Sequence, residues 1–231
     1  MSASTSAWDA LAKKLQLSYS KVCITGTGTG VGKTIVTGKL AKAMSNYGSV
    51  VTQKWVQAGD LNHSDITIHD SIVGGSPVFQ KEFDQYEQYR QVYQFSMPAS
   101  PHLAATHQTP SESVDIQALK EASLKLSQAF DMLLVETSGG IMVPLTQSYV
   151  TSDLVKSLNL PVIVVVPNEL GCINHALLSF EHLKQQNIPI IGFIMNNYFD
   201  CPTLIQDDNP QIIESISGID CLLKLGTVIK Q

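Results

Sequence analysis

Charge is scarce in this chain. Lys, Arg, Asp and Glu make up 15% of its 231 residues, against roughly 25% in ordinary soluble domains. Disorder needs low hydrophobicity and high net charge. A chain that is 44% hydrophobic with a formal charge of -5 falls outside that class. Its pI near 5.6 also argues against a nucleic-acid binder, because that affinity rests on a basic face set against phosphates. Long hydrophobic runs are missing too. No stretch approaches the ~18 apolar residues of a membrane helix, and Leu222–Gln231 is too short and too weakly basic for a membrane-binding tail.

Cysteine is sparse and scattered. Cys23, Cys172, Cys201 and Cys221 form no CxxC pair, the spacing from which zinc sites are read. Disulfide frameworks belong mostly to small secreted domains. Free thiols in a reducing cytoplasm are expected. Met1–Ser20 has no apolar centre of secretory type. Within 1–20, Trp8, Leu11, Leu15 and Leu17 lie near helical spacing, so this stretch is expected to form a short leader helix packed on or flanking the rest. Neither an internal repeat nor a linker divides the chain, and one domain over 1–231 is expected.

Apolar runs alternate with helical patterns instead. Lys21–Gly26, Val50–Val56, Met132–Glu136, Pro161–Val166 and Ile188–Met195 read as strands. Lys33–Tyr47 reads as a helix with Ile35, Leu40 and Met44 on its apolar side and Gly48 just past its end. Further helices are expected near Ile116–Phe130, Ser152–Leu158 and Cys172–Gln186. Over Pro77–Phe95, the spacing of Phe79, Phe83, Tyr86 and Tyr93 predicts a helical aromatic face, used for packing. Strands apolar on both sides belong in a mostly parallel sheet covered by helices on both faces. The expected fold is therefore a three-layer α/β architecture.

The strongest local signal is Gly26-Thr27-Gly28-Thr29-Gly30-Val31-Gly32-Lys33-Thr34, set between a strand and a helix. Glycines let a backbone wrap an anion with its N–H groups turned inward, and the positive end of the next helix adds to the attraction. Lys33 can reach terminal phosphates and Thr34 can ligate Mg²⁺. The strict phosphate-loop pattern wants glycine where Thr27 stands, with Gly26 one residue early, so the loop is a variant. A dinucleotide GxGxxG reading fails, since Val31 or Lys33 occupies the last glycine position. A Mg·ATP site also needs carboxylates. Glu136 closes an apolar strand at its carboxyl end, where α/β sheets bind ligands, and Thr137-Ser138-Gly139-Gly140 follows. Asp65, in the loop Gly59–Asp70, is the second carboxylate.

Together these pieces resemble the dethiobiotin synthetase family. The loop is similar to that family's GTxTxVGKT. Lys54-Trp55-Val56-Gln57-Ala58-Gly59 resembles its KPxxxG, with Trp55 where proline is usual. Ser64-Asp65 resembles its SD pair and Ser100-Pro101-His102 its SPH turn. Glu136-Thr137-Ser138-Gly139-Gly140 is similar to EGAGG, and Leu170-Gly171-Cys172-Ile173-Asn174-His175 to LGCINH. Order and spacing agree over about Lys21 to Asn196.

The resemblance implies ATP-dependent closure of 7,8-diaminononanoate with CO2 into the cyclic urea of dethiobiotin, through a carbamate and a carbamic–phosphoric anhydride. It implies ATP and Mg²⁺ as cofactors, and a homodimer with active sites at the interface. Lys33 and Lys54 would be catalytic. Gly28, Thr29, Gly30, Val31, Gly32, Lys33, Thr34 and Asn196 would bind the nucleotide, with Asn196 reading the base. Thr34, Asp65 and Glu136 would hold Mg²⁺. Thr29, Lys54, Gly139, Gly171, Cys172, Ile173 and Asn174 would bind substrate, the last four offering a helix start to its carboxylate. Cys172 would be a packing residue and not a nucleophile.

Three departures accompany the match. Gly30 stands where an acid is often found, Glu169 places a negative charge beside a carboxylate site, and Trp55 is expected to alter the pocket beside Lys54. The histidines carry no signature of their own. His63, His69, His107 and His182 are expected on surfaces or helices, and His102 and His175 are expected to be structural. A rival reading is an ATP switch like the partition and septum-site ATPases. Those carry a lysine where Thr27 stands, and often a basic face that this chain lacks.

Overall fold

The computed structural model describes residues 5–59, 64–75 and 81–226. In chain order the elements are α1 (Thr5–Ser18), β1 (Lys21–Gly26), α2 (Lys33–Met44), β2 (Val50–Ala58) and α3 (Asp65–Val73). A 3-10 turn (Lys81–Tyr86) leads to α4 (Glu87–Arg90), β3 (Gln91–Phe95), α5 (Pro101–Thr106), α6 (Ile116–Ala129) and β4 (Met132–Gly140). Then follow α7 (Thr151–Ser157), β5 (Val162–Pro167), α8 (Cys172–Gln185), β6 (Ile190–Asn196), α9 (Thr203–Ser217) and β7 (Cys221–Leu225).

The strands build one seven-stranded sheet in the order β3-β2-β4-β1-β5-β6-β7, with every neighbouring pair parallel. Successive side chains on a strand point to opposite faces, and here both faces are apolar. Cys23, Leu133, Val135, Val162 and Val164 join one core beneath α6, α7 and α8. Val22, Ile24, Met132, Leu134 and Ile163 join the other beneath α1 and α2. Each fully buried Val, Leu or Ile contributes roughly 1.5–3 kcal/mol, which is why the central strands are uninterrupted apolar runs. From β1 the chain moves outward past β4 to β2, and after β4 it crosses to β5 on the far side of β1. Ligands of open α/β sheets bind at such a reversal, outside the strands' carboxyl ends.

Several expected elements differ. On α2 the buried row is Val36, Leu40 and Met44, spaced by four residues, while Ile35 is 37% exposed and lines the cleft described below. The sequence placed Asp65 in a loop, but it opens α3. The short β-branched pattern of Asp65–Val73 does not look helical, yet Ser64 caps it by accepting from the Ile66 N–H at 3.2 Å. The helical aromatic face over Pro77–Phe95 does not form, since its second half is α4 and edge strand β3. Phe79, the Phe83 side chain and His63 lie outside the described residues. Tyr86 meets Phe130 edge-on at 5.8 Å and Tyr93 stacks on Phe95 at 5.7 Å, so these rings pack internally. Ser100-Pro101-His102 is the start of α5, with Pro101 in its first turn. On α1, Trp8, Leu11 and Leu15 are buried, whereas Leu17 is 80% exposed.

Candidate active site

Strand register builds the site's electrostatic centre. On β2 and β4, Lys54 stands directly opposite Glu136, and Glu136 also pairs with Ile24 of β1. The three strands thus bring Lys54 and Glu136 beside the loop that leaves β1. The α3 N-terminus adds Asp65, and the first turn of α2 adds Thr34. Lys54 Nζ lies 2.7 Å from Asp65 Oδ2 and 2.9 Å from Glu136 Oε1, and it donates to the Thr137 carbonyl at 3.0 Å. Thr34 Oγ1 is 3.0 Å from both Asp65 Oδ1 and Glu136 Oε1. Its single hydrogen serves one of them at a time. Hydroxyl and two carboxylates form an all-oxygen set, the type that suits a hard divalent cation such as Mg²⁺.

The two lysines sit in opposite electrostatic situations. Burial alone would depress Lys54, but Glu136 and Asp65 outweigh it and hold its pKa above the ordinary lysine value. Lys33 is buried without such close partners. Burial first, and the charge of Lys54 second, bring its pKa down to about 8, against the opposing pull of Glu136 and Asp65. Burial likewise works to raise Glu136, yet Lys54 and His69 hold its carboxyl well below the usual carboxylate range. One buried cation is therefore neutralised by the protein, and the other is left short of negative charge.

Lys33 Nζ donates to the Gly28 carbonyl at 2.8 Å, across the loop. Among the described residues, no group of the chain accepts from the backbone N–H groups of Gly28 to Gly32. A curl of such donors at the start of a helix, with a lysine beside it, is an anion cradle. Gly32 has φ +100, and a Cβ there would lie 2.4 Å from Asn196 Nδ2. Gly30, at φ +75, faces open space. Asn196, at the end of β6, donates from Nδ2 to the Val31 carbonyl at 2.9 Å, so it braces the loop from beneath. Gly32→Ala is expected to displace Asn196 and weaken ADP binding at least tenfold, whereas Gly30→Ala carries only backbone strain of order 1–3 kcal/mol. Calorimetric titration with ADP measures both. Equal loss in the two variants would contradict the Asn196 contact as the cause.

A cleft of about 700 Å³ opens over these groups, lined among others by Thr29, Gly30, Gly32, Lys33, Thr34, Lys54, Asp65, Glu136 and Gly139. Pro98, Pro101, Ile35, Ile68 and Val143 form its apolar wall. Asn196 does not line it. Gly171, Cys172, Ile173 and Asn174, at the start of α8, are also outside it within one chain. Gly171 and Asn174 are exposed. Cys172 is buried, and burial pushes its thiol pKa up, the reverse of a nucleophile's environment.

Two residues have surroundings that the sequence did not reveal. Trp55 does not alter the pocket beside Lys54. The strand alternation turns it to the opposite face, where its indole N–H donates to Ser123 Oγ on α6 at 2.9 Å. His69 sits on a helix, α3, as expected, but not on that helix's exposed side. It is fully buried, with Nε2 2.8 Å from Glu136 Oε2. Its position one helical turn after Asp65 was the available signal, but that spacing means something only once Asp65–Val73 is known to be a helix. Of the others, His182 Nε2 lies 2.9 Å from Ser152 Oγ and His102 Nδ1 lies 3.0 Å from Ser100 Oγ.

A family model described as an AAA domain matches residues 20–228. The ATP-dependent dethiobiotin synthetase BioD of Chlorobaculum tepidum is 34% identical over 194 residues, covering 83% of this chain and 79% of that protein. The enzyme of the same name from Brachyspira hyodysenteriae is 33% identical over 218 residues, covering 88% and 94%. Among solved structures, a ParA family ATPase from Chlorobium tepidum superposes with a TM-score of 0.57 at 16% identity, covering 91% of this chain and 86% of the other. At that identity the likeness to a partition ATPase shows the shared fold alone. With its phosphate loop, its paired carboxylates and relatives of matching length, the chain belongs to the ATP-dependent dethiobiotin synthetase family.

Proposed function

We propose that this protein joins CO2 to 7,8-diaminononanoate and closes the dethiobiotin ring, using Mg·ATP and releasing ADP and phosphate. The observation that carries the reading is the Lys54 ammonium held between Asp65 and Glu136, within one cleft shared with Lys33 and Thr34. In the reaction an amine of the substrate adds to CO2 and loses a proton, giving a carbamate. A carbamate oxygen attacks the γ-phosphorus and ADP leaves. The second amine then attacks the carbamoyl carbon, and phosphate leaves as the ring closes.

Each step moves negative charge, and the residues supply fixed positive charge where it develops. Lys33 is placed to neutralise the γ-phosphate and carbamate oxygens, exchanging its Gly28 carbonyl for a stronger acceptor. Lys54 faces the same cleft from β2. Thr34, Asp65 and Glu136 would hold Mg²⁺, which when bound neutralises phosphate charge. Thr29 and Gly139 line the side where the carbamate would sit, and the apolar wall suits the methylene chain. Asn196, whose amide group donates to the loop, would use the second lone pair of Oδ1 to accept from the purine amine.

The start of α8 is proposed to act in a partner's cleft. Its exposed N-terminus suits the substrate carboxylate, and Leu170 and Leu178 beside it are 85% and 62% exposed, an apolar surface fitted to a second copy. A homodimer with shared active sites follows from this reading. The decisive assay supplies Mg·ATP, bicarbonate and diaminononanoate and detects dethiobiotin by mass. One ADP should appear per dethiobiotin. ADP release independent of the diamine, with no dethiobiotin formed, would sink the proposal.

A further inference from the structure

We propose that His69 is a positioning residue for the metal-binding carboxylate: it holds Oε2 of Glu136 so that Oε1 stays turned toward Thr34 and the cation. This inference rests on the assignment of Thr34, Asp65 and Glu136 as the Mg²⁺ set.

His69 makes one polar contact among the described residues, the 2.8 Å approach of Nε2 to Glu136 Oε2. Its other nitrogen, Nδ1, is buried with no partner. Among the described residues the Glu136 carboxylate is the one acceptor the ring meets, so Nε2 carries a hydrogen and donates it to Oε2. A buried ring with an unsatisfied nitrogen is a poor choice for packing alone, because an apolar side chain would fill the space with no polar atom left unpaired. The ring is explained by the one bond it makes.

The geometry gives that bond a consequence. Glu136 has two oxygens with divided duties. Oε1 meets Thr34 at 3.0 Å and Lys54 at 2.9 Å, and Oε2 meets His69. A carboxylate held on one oxygen only can swing, whereas one held on both cannot. The clamp itself is fixed. Gly38 of α2 lets α3 approach so closely that a Cβ there would meet Ile72 at 2.7 Å. At the next residue after His69, Asp70 pairs with buried Arg90 at 2.6 Å. Asp65 and His69 lie one turn apart on the same face of α3. One short helix thus places one carboxylate of the set and orients the other. His69 does not line the cleft, so it touches no substrate and acts only through Glu136.

The experiment measures Mn²⁺ binding to the full-length protein with ADP, read from the free Mn²⁺ signal by electron paramagnetic resonance. ADP affinity in EDTA and thermal melting are measured beside it. His69→Leu should weaken Mn²⁺ binding by about 10–100-fold, the usual effect of losing an outer partner of a metal ligand, with ADP affinity in EDTA unchanged. His69→Gln places an amide N–H near the Nε2 position and should restore most of the loss. Should the leucine variant not fold, His69→Phe repeats the test with the ring volume kept. Wild-type Mn²⁺ affinity in the apolar variant, with Glu136→Gln defective, overturns the role of His69. A glutamine variant as weak as the apolar one, with both folded, overturns it as well. Wild-type affinity in Glu136→Gln itself removes the metal assignment, a separate and distinguishable failure.

Discussion

Lys33→Met should make this protein almost inactive and more resistant to heat. The activity loss is expected to be on the order of 10²–10³-fold, the scale for removing one preorganised group that stabilises developing charge. The gain in stability follows from the same feature. Folding lowers the Lys33 pKa from 10.5 to about 8, chiefly through burial and then through Lys54. The unfolded chain therefore keeps its proton up to pH 10.5, while the folded chain releases it near pH 8. Between those values the unfolded state binds more protons, so stability rises with pH through this window, and below pH 8 the whole penalty is present. That penalty is about 3 kcal/mol. Losing the Gly28 hydrogen bond gives back about 1 kcal/mol. The net is about 2 kcal/mol in favour of methionine, a rise of several degrees in Tm at this chain length. Melting without nucleotide and dethiobiotin formation by mass test the two halves. The pH profile offers a third measurement. In the free wild-type enzyme, kcat/KM for ATP should fall about tenfold per unit above pH 8, as Lys33 loses its charge. A methionine variant that keeps its turnover would remove Lys33 from the chemistry. One that melts lower would contradict the account of its burial.

Lys54→Met should also abolish turnover, again by on the order of 10²–10³-fold, but with the opposite sign in stability. Lys54 is the closest cation to two carboxylates, at 2.7 and 2.9 Å, and Glu136 is fully buried. Removing one partner of a buried ion pair costs about 3–5 kcal/mol, because the remaining charge has lost its compensation. Tm should fall by on the order of 10 °C. Part of that loss should return at low pH, since a Glu136 without Lys54 takes up a proton more readily. Added Mg·ADP should also restore stability if the cation replaces the missing charge. A Lys54→Met variant as stable as the wild type would mean that the carboxylates do not depend on Lys54. The crossed pattern, one lysine stabilising when removed and the other destabilising, separates a cation kept for the ligand from a cation kept for the fold and the ligand together.

Much of this was legible from residues alone where the signal is local. Gly26 to Thr34 are neighbours in the chain, so the phosphate loop needs only a preceding strand and a following helix to be recognised. The uninterrupted apolar runs Met132–Val135 and Val162–Val166 require burial on both faces, and that requirement leads to a parallel sheet. Elements with mixed or borrowed signals were not legible. The α9 helix carries Pro210 in its interior, and proline normally ends such a pattern. The edge strands β3 and β7 are only five residues long, and β3 carries two glutamines. The α3 helix is rich in β-branched residues, so its start at Asp65 was read as loop, and the one-turn spacing of Asp65 and His69 carried no meaning.

Local sequence accounts for the family and the layered parallel sheet, and it singles out the phosphate loop and the charged residues proposed for the site. How those charges are partnered depends on the three-dimensional arrangement of the strands and helices. Lys54 and Glu136 are 82 residues apart and meet through strand register. The same alternation turns Trp55 away from the site, although it adjoins Lys54 in the chain. His69 became part of the site because α3 packs against Gly38. The physical reason is one of range. Glycine conformation and strand hydrophobicity act between near neighbours, whereas desolvation and ion pairing depend on which distant groups share a buried volume. The scarcity of charge in this chain makes that second kind of information decisive, since its few buried charges are partnered mainly with one another.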